Sequence, residues 1–138
     1  MSTPAFDLTP PSPEQRTRLE ADLTTDEANV LLRHGTEVPF CGLFLNEKRP
    51  GIFTCRLCGL PLFLGGHKFE SGTGWPSFTA PFDVRHLSEK QDSNYGMVRT
   101  ELLCARCGSH QGHVFADGPP PTGLRYCINS LSLRFEPE

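Results

Sequence analysis

The sequence holds no apolar run of membrane-spanning length, and its first residues, Met1 to Ser12, lack the basic region, apolar stretch and small-residue cleavage site of an export signal. A soluble, cytoplasmic protein with no membrane partner is expected. Nor is there an excess of positive charge. Thirteen Lys and Arg against sixteen Asp and Glu give a net charge of −3 and a pI near 5.9, which argues against nucleic acid as a partner. No low-complexity tract, linker or long repeat divides the 138 residues, so a single domain is expected over 1–138.

What the chain does hold is turn formers and aromatic rings. Thirteen Gly, thirteen Pro and ten Phe at a mean hydropathy of −0.33 suit a mainly β domain of short strands. Residues 1–11 read as a loose N-terminal arm and 12–34 as short helices. Ser12-Pro13-Glu14-Gln15 carries a capping box with Pro at the first helical position, and this helix should run to about Leu23. Thr24 to Glu27 repeats the cap, Ala28, Leu31 and Leu32 supply an apolar face, and Gly35 offers a left-handed stop. From residue 35 to 138, short β-prone runs follow at Gly51 to Cys55, Leu60 to Leu64, Met97 to Cys104, His113 to Phe115 and Leu124 to Asn129, which predicts antiparallel sheets.

Six cysteines in a chain without an export signal point to metal binding and thiol chemistry rather than to disulfides. Cys55-Arg56-Leu57-Cys58-Gly59 and Cys104-Ala105-Arg106-Cys107-Gly108 are two matching units. Two residues between thiols let one tight turn aim both sulfurs at one ion, and the Gly after each pair gives the turn its freedom. Cys55, Cys58, Cys104 and Cys107 are therefore expected to hold one structural zinc with no open position.

Cys41 and Cys127 remain. The run Leu124 to Asn129 alternates, which puts Leu124, Tyr126 and Ile128 on a core face and Arg125, Cys127 and Asn129 on the other. A thiol beside a permanent cation is a setting that favours thiolate. His113 and Phe115 share a face in the preceding run. His110 lies three residues before His113, where strict alternation would turn it the other way unless the knuckle bends it back. Two histidines together could polarise or protonate a polar oxygen. His34, His67 and His86 read as ordinary surface or loop residues. Trp75, the only tryptophan, sits between Gly74 and Pro76 on a stiff loop that could form an apolar wall for a methyl group, or simply pack in the core.

Together the paired CxxCG units, Gly-Trp-Pro-Ser-Phe at 74 to 78, Gly-His-Val-Phe at 112 to 115, Asp117-Gly118-Pro119 and Arg125-Tyr126-Cys127-Ile128-Asn129-Ser130 resemble the B-type methionine sulfoxide reductases, in the same order and over nearly the whole chain. The resemblance implies two small antiparallel sheets in a tent-like fold, one structural zinc, and reduction of methionine-R-sulfoxide, protein-bound or free, by a monomeric enzyme. It implies Cys127 as nucleophile, His110, His113 and Asn129 at the sulfoxide oxygen, Arg125 beside the thiolate, and Trp75 with Phe115 against the substrate methyl. Thioredoxin is the implied reductant. In one respect the chain departs from many relatives: Thr73 stands where they carry a resolving cysteine, which leaves Cys41 as the candidate partner of Cys127. A zinc-ribbon binding module without catalysis is the rival class, and an unreactive thiol at Cys127 would favour it.

Overall fold

The structure is a computed structural model that describes residues 6–40, 42–93 and 98–138. Cys41, Met97 and part of the N-terminal arm lie outside the described residues. Two helices open the chain, as their caps require. In α1, Pro13–Ala21, the Ser12 hydroxyl accepts from Gln15 N while the Gln15 side chain accepts from Ser12 N. Thr24 and Glu27 repeat this reciprocal cap at α2, Thr25–Leu31. The buried residues of α2 are Val30 and Leu31 rather than the full face of Ala28, Leu31 and Leu32. The helix stop also differs from expectation. His34 takes the left-handed conformation, φ 57°, and Gly35 instead lies so close to Asn29 O that a Cβ there would stand 2.8 Å from it.

Nine strands follow: β1 Gly51–Cys55, β2 Pro61–Leu64, β3 Lys68–Phe69, β4 Ser77–Phe78, β5 Leu87–Asp92, β6 Arg99–Cys104, β7 His110–Phe115, β8 Arg125–Ile128 and β9 Leu133–Pro137. They form two antiparallel sheets, one ordered β2-β1-β9 and the other β3-β4-β8-β7-β6-β5. Phe53 and Phe63 from the first sheet meet Phe78, Leu102 and Ile128 from the second, all fully buried. Phe63 and Phe78 stack at 4.4 Å between centroids, and Phe53 meets Phe78 edge-on at 5.1 Å. Burial of each such ring contributes about 1.5–3 kcal/mol, so this junction is the main apolar bond between the sheets.

One irregularity positions the later chemistry. Between β6 and β7, Leu102 pairs with Gly112 but Leu103 pairs with His110, so Gln111 is an extra residue on β7. Glu101 pairs with His113, and alternate residues of β6 share a face. The slip therefore brings His110 and His113 to one side of the sheet, with ring centroids 5.6 Å apart. The sequence-based alternation had separated them.

On the adjoining ladder, His113 lies opposite Cys127 and Gly112 opposite Ile128. Gly112 has no room for a side chain: a Cβ would stand 2.0 Å from Cys127 O. Gly112→Ala is expected to force β7 and β8 apart and to cost about 1–3 kcal/mol. Urea unfolding checks this, and a variant as stable as the parent would contradict the tight approach.

Candidate active site and metal centre

The two knuckles are copies of one turn. Gly59 N donates to Cys55 O at 2.9 Å and Gly108 N to Cys104 O at 2.8 Å, with both glycines left-handed at φ 80° and 76°. The sulfurs converge: Cys55 Sγ is 3.7 Å from Cys107 Sγ, and Cys58 Sγ is 3.5 Å from Cys104 Sγ. These are not disulfides. A tetrahedral ion at metal–sulfur distances of about 2.3 Å spaces its sulfurs by roughly 3.8 Å, so the four thiols fit a structural metal. Their mutual hydrogen bonds, led by those of Cys104, hold Cys58 and Cys107 below the ordinary thiol range, Cys107 at about 7. Bonds from Cys104 to Cys55, and from Cys107 to Cys104, push those two thiols above it. Four thiols so crowded cannot all ionise without a cation among them. Arg16 donates to Cys107 O at 2.6 Å and Arg106 to Cys58 O at 2.6 Å, while Arg56 bridges to Glu27 at 2.8 Å, so both helices are tied to the knuckles.

Cys127 stands apart, half-buried on β8 between β7 and β4, with His113 and Ser77 as its cross-strand neighbours. It opens into a cavity of about 220 Å³ lined by Thr36, Thr73, Trp75, His113, Phe115 and Arg125, among others. That is below the roughly 300–1,000 Å³ of sites for drug-sized ligands, and suits one side chain. Trp75 is held as a wall because its indole Nε1 donates to Glu37 O at 3.0 Å, and Gly74, at φ 94°, lets the loop pack against Pro39 and Phe40. Asn129 also lines the cavity, but its amide is largely engaged. Oδ1 accepts from Glu37 N at 3.0 Å, and Nδ2 donates to Gln111 O at 3.1 Å.

Arg125 lies beside the thiol, yet its guanidinium forms a two-pronged pair with Asp117 at 2.8 and 3.1 Å and stacks 4.5 Å over the Phe115 ring. Burial is the largest influence on Cys127 and pushes its thiol up. It outweighs the Arg125 charge and the hydrogen bonds from Thr73 and Arg125, with Glu37 adding to the rise. The expected thiolate-favouring setting is therefore not the resting one, because burial outweighs the neighbouring cation.

Each site histidine is backed by an acid that the sequence did not single out. His113 Nε2 lies 3.0 Å from Asp92 Oδ2, and His110 Nδ1 lies 2.7 Å from Glu101 Oε2. Burial lowers the basicity of His110 despite Glu101. His110 does not line the Cys127 cavity; it lines the adjoining one, which it shares with His113. Two of the histidines read as ordinary are not so. His34 bonds to Glu101 at 2.5 Å, and His86 is buried with Nδ1 donating to Pro61 O at 2.6 Å. Partners of this kind come from distant strands, and no local spacing marks them. Among the described residues, no helix is long and apolar enough to cross a membrane.

A mainly β fold with four converging thiols that fit a structural metal, and Cys127 lining a side-chain-sized cavity, is the arrangement of a thiol-dependent oxidoreductase. Residues 23–137 match the SelR domain. The chain is 67% identical over 135 residues to the peptide methionine sulfoxide reductase MsrB of Caulobacter vibrioides (strain NA1000 / CB15N), covering 98% of this chain and 85% of that one. It is 59% identical over 132 residues to MsrB of Xylella fastidiosa (strain M23), covering 96% and 85%, and 53% identical over 115 residues to MsrB of Agrobacterium fabrum, covering 83% and 85%. The chain belongs to this SelR-domain family of peptide methionine sulfoxide reductases.

Asp117→Asn is expected to release the Arg125 cation toward Cys127. A freed positive charge favours thiolate, so the pH midpoint of Cys127 alkylation should move down. An unchanged or raised midpoint would show that Asp117 does not govern the thiol.

Proposed function

We propose that the chain reduces methionine-R-sulfoxide, protein-bound or free, with Cys127 as the nucleophile. The observation that carries this reading is the half-buried Cys127 thiol, which lines a cavity together with Trp75 and Phe115 and lies across the strand pair from His113. One wall is apolar and suits the methyl group, while the histidine end suits the oxygen. A cavity polarised in this way gives a basis for separating the two sulfoxide epimers.

In the resting state the thiol keeps its proton, and that proton balances the step. As the Cys127 sulfur attacks the sulfoxide sulfur, a proton passes to the oxygen, leaving methionine and a sulfenic acid at Cys127. His113 and His110, held by Asp92 and Glu101, orient and polarise the oxygen. Asn129, with one amide N–H committed to Gln111 O, can offer the other. The Arg125 charge opposes the effect of burial on the thiol and favours negative charge on the sulfur as it attacks. The four knuckle thiolates would hold zinc, which with four protein ligands would supply stability and no substrate position.

The sulfenic acid condenses with the Cys41 thiol, releasing water and forming a disulfide that thioredoxin reduces in the cytoplasm. Support comes from the flanks of Cys41. Phe40 N donates to Gly74 O at 2.7 Å on the loop that carries Trp75, and on the other side a Cβ on Gly42 would meet Glu37 and Ser130.

Two variants test this together. Cys127→Ser should remain folded and lose all turnover. Cys41→Ser should still release about one methionine per enzyme but recycle poorly with thioredoxin. Near-parental turnover by Cys127→Ser would overturn the nucleophile. Undiminished recycling by Cys41→Ser would instead point to direct reduction of the sulfenic acid by an external thiol.

A further inference from the structure

A second cluster of metal-ligating side chains lies apart from the four thiols. It joins His34 after the C-terminus of α2, Glu101 on β6 and His110 on β7. Their donor atoms all lie within 4.8 Å of one another. A network formed only to satisfy hydrogen bonds could spread two imidazoles over both oxygens of a carboxylate. Here His34 Nδ1, at 2.5 Å, and His110 Nδ1, at 2.7 Å, both aim at Glu101 Oε2. Two imidazole nitrogens thus converge on one carboxylate oxygen, which brings three donors together at a single point of the fold.

The surroundings suit a built site. Glu101 and His110 are buried at 6% and 2% exposure, while the His34 side chain is half exposed, so two donors are rigid and one can close from solvent. The backbone of His34 adopts φ 57°, an uncommon conformation for a residue with a Cβ, and this directs its ring onto Glu101. An adjoining cavity of about 560 Å³, lined by Asp92 and His113 as well, gives an ion a route in and leaves positions for water. Of the cations that line it, Arg99 is paired with Asp92 at 3.2 Å and Lys90 is an exposed residue whose long stem lets its ammonium stay in water.

We infer that His34, Glu101 and His110 form a second metal site that takes a borderline divalent ion such as Zn²⁺, Co²⁺ or Ni²⁺. Imidazole and carboxylate donors favour ions of this class over Ca²⁺ or Mg²⁺, which seek oxygen alone. The ion takes the place of the hydrogens shared between the two Nδ1 atoms and Oε2. Because the proposed function also uses His110, occupancy lowers turnover. That consequence alone rests on the functional reading.

The test is Co²⁺ titration of the zinc-loaded protein, followed by equilibrium dialysis and visible absorption. About one Co²⁺ per chain should bind without a thiolate-to-metal charge-transfer band. His34→Ala and Glu101→Gln should each weaken binding by about tenfold or more, with knuckle zinc content unchanged. His34→Ala removes a half-exposed ring outside the core, so it keeps the test decisive if Glu101→Gln fails to fold. Absence of Co²⁺ binding, equal affinity in parent and His34→Ala, or a thiolate band would overturn the site. Binding that passes this test without any loss of turnover would leave the site intact and count against the role of His110 in catalysis.

Discussion

Everything in this fold hangs on the convergence of four thiols from two sheets. Cys55 ends β1 and Cys104 ends β6, so the strands that carry the knuckles belong to different sheets. The aromatic contact of Phe53 and Phe63 with Phe78 closes the same junction from the apolar side. A metal here would act as a cross-link whose binding energy is folding energy. The second knuckle is where β6 turns into β7, and the slip at Gln111 follows directly after that turn. Gln111 links the two features physically: its side-chain amide lies 3.6 Å from Cys55 Sγ, and its carbonyl accepts from both the backbone and the side chain of Asn129.

The site is arranged so that charge is available without being spent at rest. Arg125 is paired with Asp117, while His113 and His110 are hydrogen-bonded to Asp92 and Glu101. Burial pushes the Cys127 thiol up, so at neutral pH it keeps its proton and is the less reactive for it. Glu37 has a central structural part. Its N–H donates to Asn129, its carbonyl accepts from Trp75, and its carboxylate accepts from Leu131 N, so one residue of the segment after α2 fixes both walls of the cavity.

Much of this was legible in the sequence because it is local. Capping boxes, CxxCG turns and the alternation of Leu124 to Asn129 are encoded within a few residues, and the two helices and the inward Tyr126 and Ile128 follow them. What stayed hidden depends on pairing. The common face of His110 and His113 comes from a one-residue slip against β6, which no pattern within 110 to 115 reveals. Likewise the acids behind the histidines lie nine and twenty-one residues away. The raised thiol of Cys127 reflects burial first, with Glu37 adding to it, where neighbouring Arg125 alone suggests the opposite.

The most direct test of the account is a single turnover with resolved epimers and no reductant. With the R-epimer of methionine sulfoxide, the enzyme should release about one methionine per chain and consume the Cys127 thiol, as read by mass analysis of its peptide, while the S-epimer should yield none. Methionine release that leaves the Cys127 thiol intact, or equal release from both epimers, would contradict it.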